Sequence, residues 1–450
     1  MRGGAYIRLF FLGAAAALAL LAAPAAASAS VGPFAMAVQP DGKIVVAGGE
    51  GYVGGLNGGQ EHAAIVRYLP NGKLDRSFGQ GDGVLPARKV QPFTALDLQR
   101  DGRIVLAAPG SVVARVLPDG RFDGNFGIRG KTGGGVMSAW YPTSVKVGKG
   151  GAIFVGGLTG YLSDPGEAWY GWLYKIARNG LRGERTAGMT GGESDDPKNT
   201  INDFVFAPGG AVFAAGWAGE RRLDAKLHAT LARLVPGSVD PGGVPTGPDP
   251  SFGGGVGLVE SDFFPESPFS ETANALAWQK GKLLIAGEAN GELLVSRYTA
   301  AGFLDGGFGH HGFESVGFGR GNANVANDLA VDAHGGIYAA GSSSHGCGSA
   351  GCGSLLLARF SRSGKLVRKF GDGGLVSPRV NSKLYGRPAK EVAYAVVVRP
   401  KGKVLVGGLV TGPRSSRFFL RRYLVDGSPD RSFGKGGRLT TVPVLAERAR

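Results

Sequence analysis

The sequence predicts an all-β protein, a seven-bladed β-propeller of four-stranded antiparallel blades, and three observations lead there. One phrase recurs seven times, its turn glycine standing at Gly42, Gly102, Gly151, Gly210, Gly281, Gly335 and Gly402, so the period averages about sixty residues. Each copy is a series of short β runs bounded by turn residues, in the first copy Asp41-Gly42 and Asn71-Gly72, and such pairs are the strongest short hairpin signal because both turn positions need positive φ. No stretch keeps a helical period, which excludes an α-solenoid. A unit of this size buries its apolar face only against neighbouring units, so repetition implies a propeller, a solenoid or an array. Radial closure leaves only short, protected strand edges, which favours the propeller over an open array.

Residues 1–29 read as a signal peptide. Arg2 and Arg8 form a basic start, Leu9 to Leu21 is apolar, and Ala25-Ala26-Ala27 or Ala27-Ser28-Ala29 supplies a small-residue cleavage pattern. An uncleaved anchor is the alternative; the apolar run is short for a membrane span and meets Pro24. No later segment is apolar enough to span a membrane, so a secreted, periplasmic or cell-surface protein is expected, a monomer by its self-contained ring. Residues 30–450 then form one propeller, with blades near 30–90, 91–139, 140–194, 195–264, 265–319, 320–380 and 381–444. In the first blade, Phe34 to Gln39, Lys43 to Gly48, Ala63 to Leu69 and Gly83 to Lys89 are the strands, joined by Asp41-Gly42 and Asn71-Gly72. The last run, Gly437 to Val442, either completes blade seven or crosses to blade one.

Composition gives 81 Gly and 25 Pro in 450 residues, but the glycines fall at fixed places beside Val, Ile, Leu and Phe and are therefore turn residues of an ordered protein. The net charge is +15, and +13 without the first 27 residues, which hold two Arg and no acid. That balance favours anionic partners such as acidic glycans, teichoic or phospholipid surfaces, or nucleic acid; an anionic polysaccharide, another envelope polymer or a surface protein is expected, and nucleic acid is not. Part of it has an internal explanation. A cation recurs in the third strand (Arg67, Arg115, Lys175, Arg233, Arg297, Arg359, Arg422), and an acid follows in five copies (Asp75, Asp123, Asp249, Asp305, Asp430), which predicts one intra-blade ion pair repeated round the ring.

These residues resemble a known family. Ala37-Val38-Gln39-Pro40-Asp41-Gly42-Lys43-Ile44-Val45-Val46-Ala47-Gly48, Arg67-Tyr68-Leu69-Pro70-Asn71-Gly72 and Leu74-Asp75-Arg76-Ser77-Phe78-Gly79 are similar to the bacterial delta-60 repeat of exported propeller proteins. The third copy departs, with Leu181-Arg182-Gly183-Glu184 where Leu-Asp-x-Ser-Phe-Gly is expected, and the fourth inserts Pro236 to Pro250. The resemblance implies a fold and an extracytoplasmic setting, and supplies no catalytic residues.

Four features carry candidate chemistry. Seven residues before each turn glycine, Ser144, Asp203, Asn274 and Asp328 occupy the inner strands of blades three to six, where the other blades have Ala35, Ala95 and Ala395. They form a one-sided polar arc at the channel mouth, either a ligand site or Asx-type caps. The run Trp169-Tyr170-Gly171-Trp172-Leu173-Tyr174 is the second feature; by strand alternation Tyr170, Trp172 and Tyr174 share a face. It fits inter-blade packing or, through Trp169 and Tyr170, a sugar platform. Third, Cys347 and Cys352 lie in a glycine-rich loop and predict a disulfide in an oxidising compartment; a metal site with His345 would lack a fourth ligand. Last, Gly79-Gln80-Gly81-Asp82-Gly83 precedes a strand, so it reads as a turn and not a phosphate cradle. No cofactor and no catalytic motif is expected. The leading function is a non-enzymatic binding or scaffold propeller, with a channel-mouth lyase or glycosidase using Asp203 and Asp328 as the alternative and a spacer third.

Overall fold

The computed structural model describes residues 34–51, 61–87, 90–110, 112–132, 141–163, 166–189, 198–219, 226–235, 247–318, 322–344, 353–377, 383–384, 387–412 and 416–440. They form a seven-bladed β-propeller with almost no helix. Strands are labelled A to D from the channel outward. The A strands are Phe34–Val38, Ala95–Leu98, Tyr141–Val147, Asp203–Phe206, Thr272–Gln279, Asn324–Val331 and Lys390–Val398. The B strands are Ile44–Gly51, Ile104–Ala108, Ile153–Ser163, Val212–Gly219, Lys282–Ala289, Ile337–Ser343 and Val404–Thr411. The C strands are Glu61–Tyr68, Val112–Val116, Gly166–Ile176, His228–Leu234, Glu292–Thr299, Ser354–Phe360 and Ser416–Tyr423, with antiparallel pairing from A to B to C to D. The D strands are Val84–Ala87, Gly183–Gly188, Leu258–Ser261, Phe313–Val316, Leu375–Val376 and Arg438–Thr440. In blade 2 that place is reduced to a bridge between Ala114 and Lys131.

Each of the seven junctions between blades holds its own apolar core. Between blades 1 and 2, Val45, Ile65 and Phe78 pack on Phe93, Leu106 and Val116; between 7 and 1, Leu405, Phe418 and Phe433 pack on Phe34, Met36 and Val46. The ring is therefore closed by the same kind of burial that joins its interior blades. Leu439 pairs with Leu420, so the last strand completes blade 7, and each blade is one continuous stretch of chain.

The repeated ion pairs lie inside their blades, as the spacing predicts. Nε of Arg67 is 2.7 Å from Asp75, of Arg115 2.8 Å from Asp123, of Arg233 3.2 Å from Asp249, of Arg297 2.6 Å from Asp305 and of Arg422 2.7 Å from Asp430. Where the acid is missing the cation finds other partners. Lys175 lies 3.4 Å from Glu184. Arg359 sits over the Phe370 and Tyr338 rings and donates to the carbonyl of Val425.

The same motif stitches each blade to the next. Arg67 donates to the carbonyl of Pro118 in blade 2, Arg115 to that of Arg178 in blade 3, Arg297 to that of Arg362 in blade 6, and Arg422 to that of Pro70 in blade 1. The glycine after each motif phenylalanine adds a backbone bond to the neighbour's C–D turn, such as Gly79 N–H to Asp119 O and Gly434 N–H to Asn71 O. Gly120 shows why those turns need glycine: φ is +87° and a Cβ would stand 2.3 Å from the Gly79 nitrogen. Six junctions carry this stitch among the described residues. From blade 3 to 4, where the Ser-Phe-Gly is missing, Phe154 and Phe206 meet edge to face at 5.1 Å, and Gly171 N–H donates to Asn199 Oδ1 at 2.7 Å.

Candidate functional site

The pairing of A with B strands fixes which residue occupies the channel position in each blade. Ala35, Ala95, Ser144, Asp203, Ala275, Asp328 and Ala395 stand opposite Ala47, Ala107, Gly156, Ala215, Ala286, Ala340 and Gly407. Blade 5 thus presents Ala275, which corrects the expectation for Asn274. Its A–B turn is one residue shorter: Gln279 pairs directly with Lys282 around Lys280 and Gly281, so counting back from the glycine lands one position early.

Three of the predicted arc residues keep the channel position, and two of them touch. Ser144 Oγ donates to Asp203 Oδ1 at 2.7 Å, and Lys146 Nζ lies 3.2 Å from the same oxygen. Lys146 is two residues beyond Ser144, and Asp97 is two beyond Ala95 at the corresponding level of blade 2. Reading one position per blade misses both. Burial works against the Lys146 charge, yet Asp203, Asp97 and Asp328 around it hold its pKa above the ordinary lysine value. Desolvation raises Asp97 despite two backbone N–H donors, and pushes Asp328 up to about 7, with the Asp203 charge adding to the rise. One lysine therefore serves three carboxylates.

Those carboxylates are occupied by main chain. Asp97 accepts the Val147 N–H of blade 3 at 2.7 Å, Asp203 the Leu276 N–H of blade 5 at 3.1 Å, and Asp328 the Val396 N–H of blade 7 at 2.7 Å. Each also accepts the N–H of the residue following it. Blades 2, 4 and 6 thus clamp blades 3, 5 and 7. The preceding residue of each A strand makes a second belt. Thr94, Thr143, Asn202, Asn274 and Asn327 each donate to a backbone carbonyl of the next blade, at Pro142, Ile201, Ala273, Ala326 and Ala393. Asn274 is a link in this belt and also receives the Asn202 amide at 3.3 Å. From blade 7 to 1 the belt continues as rings, Tyr394 against Phe34 at 6.5 Å.

The aromatic run lies in the strand Gly166–Ile176. Tyr174 is buried in the core between blades 2 and 3, and half-buried Trp172 packs against that core with the Arg185 guanidinium 3.8 Å over its ring. Tyr170 is half-buried. The Trp169 side chain, Cys347 and Cys352 lie outside the described residues.

Several exposed cations without an ion pair among the described residues gather on one face. In antiparallel blades the A–B and C–D turns share one face, as the packing of Gly102 near Pro118 and Gly335 near Arg362 shows. Arg100, Lys149, Lys280 and Lys401 are exposed on A–B turns, and Arg178 and Arg362 on C–D turns. None of these six is ion-paired among the described residues. Five acids there have local duties: Asp41 lies 3.5 Å from Lys43, Asp101 pairs with Arg103, Asp119 lies 2.7 Å from Arg121, and Asp332 and Asp426 cap their own turns.

A family model described as a domain of unknown function (DUF5122) beta-propeller matches residues 39–78 and 400–433, the first and last repeats, which supports a β-propeller repeat protein. No curated protein matches the chain. Similar solved structures include a protein of unknown function from Dyadobacter fermentans, 12% identical over 86% of this chain and 94% of that one, with a TM-score of 0.43. The polysaccharide lyase Uly1 is 12% identical over 87% and 90%, with a TM-score of 0.46. The α-L-arabinanase of Penicillium chrysogenum is 11% identical over 87% and 92%, with a TM-score of 0.38. Likeness at this level says nothing of this chain's substrate.

Proposed function

We propose that this chain is a non-enzymatic propeller of the cell envelope, acting as a binding or scaffold module for an anionic polymer or surface. One observation carries the reading: Asp97, Asp203 and Asp328 are each engaged by two backbone N–H groups, one of them in the next blade, so they hold the ring together. Polar groups spent on such clamps are unavailable for the opposed acid and base of a lyase or glycosidase. The unpaired cations of the turn face supply the attraction for an anionic partner.

The test is a polyanion and acidic-glycan binding array on the mature protein at low and high salt, with a parallel assay for depolymerisation. Salt-sensitive binding without turnover supports the proposal; turnover abolished by Asp203→Asn with the fold intact overturns it. The enzymatic reading has one observation in its favour, the Asp328 carboxyl at about 7, a value suited to a general acid.

A further inference from the structure

Several exposed large apolar side chains share the turn face with the cations. Leu181, Phe303, Val425 and Val235 lie on C–D turns, and Ile128 and Val256 in the turn before the D position, on the same side of the ring as the A–B turns. Phe303 is 57% exposed, Val425 51% and Ile128 65%, so they are not rims of a buried cluster. A Cβ on Gly402 would stand 3.2 Å from Val425, which places that valine beside exposed Lys401. Leu181 follows Arg178 by three residues and adjoins Arg182.

Cations and aliphatic or aromatic side chains mixed on one face of short turns match one partner better than others. A soluble acidic polymer would use the cations and leave Ile128, Val256 and Val425 in water. An anionic bilayer uses both: headgroups attract Lys and Arg, and shallow insertion removes the apolar side chains from water. We infer that the turn face docks on a lipid bilayer rich in anionic headgroups, with Arg100, Lys149 and Arg362 supplying attraction and Phe303, Val425 and Ile128 inserting. This rests on the binding reading above and names its partner.

The experiment is co-sedimentation of the mature protein with vesicles of phosphatidylcholine alone or with about a third phosphatidylglycerol. Binding to the anionic vesicles only, falling steeply with salt, is expected. The triple variant Arg100→Glu, Lys149→Glu, Arg362→Glu should weaken it by more than about 100-fold, because removing three charges at about fivefold each gives that much and reversing them adds to it. Phe303→Ser with Val425→Ser should weaken binding to the vesicles but leave binding to soluble polyphosphate unchanged, which also reports that the variants are folded. Failure to bind phosphatidylglycerol vesicles while polyphosphate still binds overturns the lipid partner alone. Failure to bind either overturns the binding reading with it.

Discussion

Arg422 of blade 7 donates Nη1–H to the carbonyl oxygen of Pro70 in blade 1 at 2.6 Å, while its Nε holds Asp430 at 2.7 Å. Arg67 makes the same two bonds from blade 1 to Pro118 of blade 2 and to Asp75. If the closing junction equals an interior one, Arg422→Ala and Arg67→Ala should each cost about 2–3 kcal/mol, the range for hydrogen bonds to buried charged groups when Lys403 or Lys43 still faces the acid. Urea unfolding of both variants checks it. A negligible cost for Arg422 alone would mean that the ring is not closed there.

The ion pairs also set an acid limit. Burial opposes ionisation of Asp75, but the Ser77 hydrogen bonds and Arg67 outweigh it and hold its pKa at about 2, below the ordinary 3.8. A carboxylate depressed on folding adds stability above the unfolded value and loses it as pH falls through the folded one. Melting temperature should therefore drop as pH falls from about 4 to about 2, and Asp75→Asn, less stable at neutral pH, should drop less over that window.

Asp328 has the opposite sign. Its folded pKa of about 7 exceeds the unfolded value, so its contribution is complete below about 4 and is lost as pH rises through 7. Asp328→Asn mimics the protonated acid. The difference in melting temperature, variant minus wild type, should grow between pH 5 and pH 8. A difference independent of pH would show that this carboxyl is not desolvated in the channel.

Trp172 fills space between blades 2 and 3 under the Arg185 guanidinium. Truncation to alanine should cost about 3 kcal/mol, the low end for a large aromatic because the ring is half-buried. Thermal or urea unfolding reads this directly, and an unchanged stability would return Trp172 to the surface as a ligand platform.

Much of the architecture is written in local signals. Paired β runs and turn glycines such as Gly42 and Gly402 mark every hairpin, and the Arg67–Asp75 spacing announces its ion pair eight residues apart. The channel was less legible for two physical reasons. A one-residue difference in turn length shifts the pairing without altering the repeat, which is why Asn274 stands in for Ala275 when counted from Gly281. The belt of Thr94, Thr143, Asn202, Asn274 and Asn327 joins residues roughly 50 to 70 apart through backbone carbonyls, and a carbonyl leaves no trace in residue identity. Lys146 and Asp97 are visible only once neighbouring blades are set side by side.

The completion of blade 7 by its own final strand gives the chain a property that strand-exchanged rings lack. Every blade is one continuous stretch of chain, so duplicating or deleting one repeat adds or removes a full blade and leaves no half-blade orphaned. The first strand, from Phe34, and the last, to Thr440, stand in the same relation as the D and A strands of any two successive blades, so joining them with a short linker and cutting at another D-to-A loop should yield a circular permutant that folds to the same ring. The closed circle would thus accept a starting point at other blade junctions.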